Sequence, residues 1–156
     1  MHILITNDDG IASPFLQPLV NAFAKIGKVT IAAPATEQSW IGKGMSRFKD
    51  VQLEERNDFD HPAYALTGTP SDCINIALGH LCEAQPDLVV SGINIGHNTG
   101  LPFIAAFGTV AGALEACNHV LIGIKGFEQI ALLVEDSCLC IFCFGRGVGL
   151  RVLLKD

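Results

Sequence analysis

Positive charge is scarce in this chain. Ten Lys and Arg residues stand against sixteen Asp and Glu among 156, a formal net charge of −6. The few cations form no dense run, which argues against a surface that grips nucleic acid non-specifically. A local phosphate site stays open, because a bound metal ion can supply the charge that the chain lacks. Charged residues of either sign make up only 17% and apolar ones 49%, the reverse of a disordered composition. Uninterrupted apolar runs fall short of the roughly 18 residues that read as a membrane span. His2 to Asp9 has no basic leader region and no long apolar stretch, so no secretory signal is expected. Cys73, Cys82, Cys117, Cys138 and Cys140 sit among apolar neighbours, as buried thiols do, and a cytoplasmic, reducing setting is the expectation. The length fits one domain with a real core.

Residues 3–6 are short, apolar and rich in β-branched side chains, as in a buried parallel strand. Asn7-Asp8-Asp9-Gly10 ends it. Phe15, Leu19, Phe23 and Ile26 recur at helical spacing, which predicts a helix from Pro14 or Pro18 to Ile26, stopped by Gly27. Val29 to Ala33 reads as a second strand, giving a βαβ unit. Residues 35–49 lack any period and read as a long loop over the sheet edge. Val51/Leu53 and Tyr64/Leu66 alternate with polar neighbours, as in a small hairpin or edge strands. Thr69-Pro70-Ser71-Asp72 predicts an N-cap and a helix running to Leu81, burying Cys73, Ile74, Ala77, Leu78 and Leu81. Leu88 to Ser91 is a third strand, followed by a glycine-rich loop over 92–100. Thr109 to Ala116 is expected to be helical and Val120 to Ile124 a fourth strand. From Val134 onward no order of helices and strands can be read. The fold expected is α/β: an open, mostly parallel sheet with helices on both faces and a short or atypical C-terminal part.

Open α/β sheets bind ligands beyond the C-terminal ends of their strands. Three clusters fall there: Asp8 and Asp9; Glu37, Gln38 and Ser39; and Ser91, Gly92, Asn94 and Asn98. Adjacent carboxylates repel unless a cation offsets them, and a hard divalent ion takes carboxylate, hydroxyl and amide oxygens together. Asp8, Asp9, Ser39 and Asn94 form such an oxygen-rich set. Asn-Asp-Asp-Gly is also a good turn in its own right. The glycine loop is only loosely a phosphate cradle, since it lacks the GxGxxG spacing. His97 lies within that loop, facing phosphate or solvent. The remaining histidines show no partner pattern, and the Cys138–Cys143 run lacks zinc-site spacing.

Four ordered motifs then resemble one family. They are Ile3 to Ile11 with the Asn7-Asp8-Asp9-Gly10 core; Ala33-Pro34 with Glu37-Gln38-Ser39; Gly68 to Cys73; and Pro86 to Gly96 with Asn98. Together they are similar to the SurE family of stationary-phase survival proteins, which are acid-phosphatase-like 5′-nucleotidases. The resemblance implies a Rossmann-like fold and one divalent metal, Mg or Mn. It also implies hydrolysis of nucleoside 5′- and often 3′-monophosphates and assembly as a homodimer or higher homo-oligomer. The family's metal ligands fall on Asp8, Asp9, Ser39 and Asn94, with Asp8 or Asp9 as the catalytic carboxylate. Its phosphate-facing residues fall on Gly92, Ile93, Asn94, Gly96, Asn98, Gly108 and Thr109.

Two departures accompany the likeness. The family usually has Tyr-Ser before its Gly-Thr pair, where this chain has Ala106-Phe107, so a phosphate-bonding hydroxyl is missing and apolar bulk replaces it. The likeness also fades after Gly126, which divides the chain into a nucleotidase core over 1–126 and a divergent segment over 127–156. A catalytically weak binder of metal and nucleotide is therefore the alternative. A dinucleotide oxidoreductase is disfavoured, since no glycine fingerprint follows the first strand and no ribose-binding acid ends the second.

Overall fold

The computed structural model describes residues 1–95, 106–121, 127–135 and 138–145. Its spine is a seven-stranded sheet in the order β3-β4-β2-β1-β5-β7-β6. The strands are β1 (His2–Thr6), β2 (Lys28–Pro34), β3 (Leu53–Arg56), β4 (Ala63–Leu66), β5 (Leu88–Asn94), β6 (Phe127–Glu135) and β7 (Cys138–Gly145). The central β4, β2, β1 and β5 are parallel. The outer β3, β7 and β6 run antiparallel to their neighbours.

Burial on both faces explains the continuous apolar run of β1. Ile3 and Ile5 point to one layer, with Val29, Ile31 and Ala33 of β2 and Leu88 and Val90 of β5. Leu4, Ala32 and Val89 alternate to the opposite layer, as the two-residue period of a strand requires. Helix α1 (Leu16–Phe23) covers the first layer with Leu16, Leu19, Val20 and Phe23, one helical stripe. Helices α2 (Pro70–Ile76) and α3 (Gly108–Leu121) cover the second with Cys73, Ile74, Val110, Ala113 and Ala116. The expected two-sided α/β arrangement is therefore present.

Several elements differ from the sequence reading. Helix α1 ends at Phe23, and Ile26 is exposed. A short turn carries the chain on, with the Ile26 and Gly27 amides donating to the Phe23 carbonyl, so Ile26 leaves the apolar stripe. Helix α2 starts where expected, on a reciprocal capping box. Thr69 accepts from the Asp72 amide while the Asp72 carboxylate accepts from the Thr69 amide. One π-helical turn, Ala77–Leu81, extends it to the expected end. Cys73, Ile74 and Ala77 are fully buried there, whereas Leu78 and Leu81 are half-buried at the core margin. Cys82 and Cys117 are likewise only half-buried; Cys73 is the buried thiol of the three.

The strand expected at Val120 to Ile124 begins inside α3, which continues through Leu121. Positions 110, 113, 117 and 120 keep a helical spacing of apolar residues, so nothing in that stretch stops the helix. Residues 122–124 lie outside the described residues. The region in which no order could be read holds the end of β6 and all of β7; the two strands pair with each other and β7 pairs with β5, Val90 opposite Phe142. The loop after β2 is tied to the two helices of the second layer. It crosses the starts of α2 and α3, with Ser46 donating to Asp72, Thr69 donating to the Gly44 carbonyl, and Lys43 ion-paired to Glu115. No helix among the described residues is long and apolar enough to cross a membrane.

Candidate active site

The crevice between β1 and β5 is a reversal point of the sheet. From β1 the chain moves outward to β2, and it returns to the other side of β1 only as β5. Strand ends diverge at such a point and leave room for a ligand. The Asn7 to Gly10 turn closes β1 there. The Asn7 side chain donates to the Gly10 carbonyl and accepts from the Gly10 amide. Gly10 has φ +91°, which a residue with a side chain rarely adopts. The turn reading thus holds for Asn7 and Gly10, while both aspartates reach other parts of the chain.

Asp8 is 1% exposed and its carboxylate accepts a 2.5 Å hydrogen bond from the Thr109 hydroxyl. Its carbonyl accepts from the Gln38 amide at 2.7 Å, which fixes the stretch after β2 against the end of β1. Asp9 is half-buried and accepts from the Ile95 amide at 2.8 Å, a bond that spans the crevice to the end of β5. Asn94, immediately before Ile95, is buried. Gly108 sits so near Asp8 that an added methyl carbon would lie 2.6 Å from the Asp8 Cβ. These contacts join segments separated by up to 101 positions in sequence.

Negative charge is concentrated here. Burial pushes the Asp8 carboxyl above the usual carboxylate range, against the Thr109 hydrogen bond, with the nearby Glu37 charge adding to the rise. Asp9 is pushed up to about 6, chiefly by burial. The Ile95 amide opposes that rise, and the charges of Asp8 and Glu37 add to it. Among the described residues, no Lys, Arg or His pairs with either aspartate. No cluster of three or more His, Cys, Asp or Glu residues suited to a metal is found among them either. The donors available are instead mixed oxygens: two carboxylates, the Ser39 hydroxyl and the Asn94 amide oxygen. That chemistry fits a hard divalent cation rather than zinc.

The residues singled out from sequence are placed unevenly. Asp8, Asp9, Asn94, Gly108 and Thr109 come to one crevice, and Gly92 is buried in β5 beside them. Ser39 adjoins Gln38 but is exposed, and its hydroxyl donates to Glu37 at 2.5 Å. Gly96, His97 and Asn98 lie outside the described residues. Thr109, expected to face phosphate, is fully buried with its hydroxyl on Asp8. Phe107, expected to place bulk at the phosphate site, is buried in the core layer under α2 and α3. Glu37 was visible as part of the second cluster, but its charge on both aspartates needed the three-dimensional placement.

Comparison with known proteins agrees with this architecture. The family model described as Survival protein SurE matches residues 3–130. A 5′-nucleotidase SurE of Methanopyrus kandleri is 47% identical over 135 residues, 86% of this chain and 49% of that protein. One from Moorella thermoacetica is 44% identical over 120 residues, covering 75% and 45% respectively. The chain spans about half the length of the curated relatives it matches. The crystal structure of the SurE protein from Aquifex aeolicus superposes with a TM-score of 0.64 at 36% identity, covering 74% of this chain and 46% of that one. The strand-end carboxylates and the match across 3–130 lead to the same assignment: this chain belongs to the SurE family.

Proposed function

We propose that the chain is a metal-dependent phosphomonoesterase acting on nucleoside 5′-monophosphates, and on 3′-monophosphates as a second class. The observation that carries this is the convergence on Asp8 and Asp9 of the segments after β1, β2 and β5 and the start of α3. The nucleotidase names of the relatives point to the same chemistry. Asp8, Asp9, Ser39 and Asn94 would hold the cation, Mg or Mn. When bound, the cation supplies charge neutralisation and lowers the cost of ionising a water.

The two aspartates divide the remaining work. Asp8 is buried, and the Thr109 hydroxyl fixes its orientation, so it serves as a positioned anion. Asp9 is the half-exposed one, open to solvent on one side and held by the Ile95 amide on the other. It is the carboxylate placed to take a proton from an attacking water. Gly92 and the start of α3 bring backbone close to the crevice for phosphate, with Gly96 and Asn98 as further candidates from sequence. The resemblance also supports a homodimer or higher homo-oligomer and a cytoplasmic setting.

The alternative of a weak binder rests on Phe107 and on the divergent C-terminal segment. Phe107 itself is buried with the core layer under α2 and α3. The test is phosphate release from AMP and GMP with and without manganese, for the wild-type chain and for Asp8→Asn and Asp9→Asn. Metal-dependent release lost in both variants is expected. A folded, metal-binding wild type that releases no phosphate refutes the hydrolase reading.

A further inference from the structure

We infer that Trp40 is the platform on which the base of the nucleotide stacks, so that this side chain selects nucleotides over base-free phosphate esters. The inference rests on the phosphomonoesterase reading above and deepens it. Trp40 follows Ser39 and stands two residues after Gln38, whose amide is bonded to the Asp8 carbonyl at 2.7 Å. Two residues of chain reach at most about 7 Å, so the indole starts at the rim of the aspartate crevice. Its ring rests against Phe107, with centroids 5.6 Å apart and planes tilted by 49°. Phe107 directly precedes Gly108, which abuts Asp8. The segment before Trp40 and the glycine after Phe107 thus both meet Asp8, one at its backbone carbonyl and the other at its side chain.

Trp40 is nevertheless 64% exposed, although Phe107 supports it. It is also, among the described residues, the one non-glycine residue at positive φ, 63°, a conformation that costs free energy for a bulky side chain. Exposing an indole and straining its backbone both oppose folding, and both are accounted for if the ring has a ligand to meet. The surrounding loop is held from beneath by Gly42 donating to the Ala106 carbonyl and by the Lys43–Glu115 ion pair. A supported, exposed aromatic ring beside an anion site matches the shape of a nucleoside monophosphate, whose sugar sets the base apart from the phosphate. Phe48 is more exposed still, but it lies eight positions further along and Arg47 covers its ring at 5.1 Å.

The chain contains a single tryptophan, so its fluorescence reports on this ring directly. Titration of the full chain with AMP in the presence of manganese is expected to give saturable quenching, and titration with ribose 5-phosphate none. Equal responses to both ligands, or none to AMP, overturn the inference whether or not phosphate is released. Kinetics provide the second arm. Trp40→Ala is expected to lower the ratio of kcat/KM for AMP over glycerol 2-phosphate roughly tenfold, the typical loss of one base–aromatic stack. Trp40→Phe should restore most of that ratio. An unchanged ratio in Trp40→Ala overturns the inference. Absence of hydrolysis with both esters counts against the phosphomonoesterase reading alone, and the fluorescence titration then decides the stacking.

Discussion

Gly108→Ala isolates the joint between α3 and the aspartate turn. A methyl group added there would lie 2.6 Å from the Asp8 Cβ and 3.2 Å from both the Asp8 Oδ2 and the Gln38 carbonyl oxygen. None of these atoms is the free end of a flexible side chain. Asp8 is fixed by Thr109, and Gln38 meets the site through its backbone. To restore ordinary contact, the helix start must back away by about 0.8 Å, a displacement on the scale that forfeits much of a van der Waals well. Overpacking of this kind costs about 1–3 kcal/mol, offset by roughly 0.4–1 kcal/mol from the lost freedom of the unfolded chain. Gly79→Ala is the matched control, since it is exposed and nothing lies within 4 Å of its added carbon. That variant should gain roughly 0.4–1 kcal/mol. With a urea dependence of about 2 kcal/mol per M, the two midpoints should differ by roughly 1 M. Phosphate release should fall further than stability does, since a misplacement near 1 Å in a catalytic site costs about 100-fold. Equal midpoints together with wild-type activity for Gly108→Ala would refute the claim that this glycine is required by Asp8.

Thr109→Val keeps the volume but removes the donor to a buried carboxylate. It should cost about 1.5–3 kcal/mol in urea unfolding of the metal-free chain. Thr69→Ala removes the reciprocal cap of α2 and the bond to the Gly44 carbonyl, for a loss of about 1–2 kcal/mol by the same assay. Lys43→Met leaves the buried Glu115 with His119, 3.8 Å away, as its remaining basic neighbour among the described residues. Because Lys43 is partly exposed, the expected cost is about 1–2 kcal/mol, below that of breaking a fully buried pair, and it is measurable by thermal melting. Burial pushes the Cys82 thiol up to about 11, against the opposing charge of Lys28. Alkylation at Cys82 should therefore still be rising steeply from pH 8 to pH 10, where an ordinary thiol levels off; a plateau near pH 9 would contradict it. The linkage has a definite sign. The folded thiol holds its proton longer, so its stabilising contribution is full below the ordinary thiol value and is lost as pH climbs through about 11.

Strands β1, β2 and β5 were legible because burial on both faces writes a short apolar run that a helix face cannot imitate. The start of α2 was legible because Thr69, Pro70 and Asp72 each have one local role, and the structure uses all three. Longer-range information was not available in that way. Ile26 matched the stripe of α1 by spacing, yet the chain turns at Phe23 to reach β2. Val120 looked like the head of a strand because β-branched and apolar residues serve either element. In the structure the helix runs on through Leu121. The unbroken apolar run from Cys138 to Phe144 had no turn or alternation to classify it, and its identity as β7 comes from pairing with β5.

The site shows the same division between local and distant information. Asp8 and Asp9 were candidates from sequence because two adjacent acids stand at a strand end. How their surroundings differ could not be read there, because the difference is made by residues far along the chain. Thr109 buries and orients Asp8, whereas Ile95 tethers an Asp9 that still meets solvent. Two chemically identical neighbours thereby acquire different environments, one rigid and dry, the other accessible to water. The hydrogen bond from Thr109 to Asp8 bears on the family motif in this chain. The hydroxyl at the start of α3 is the side-chain donor to the buried carboxylate, which without it would be held by backbone alone. The glycine before it is needed to let that hydroxyl approach. Gly108 and Thr109 therefore act as one unit that seats Asp8. A substitution at either should be read first as a change in how that carboxylate is held, and only then as a change in phosphate contact.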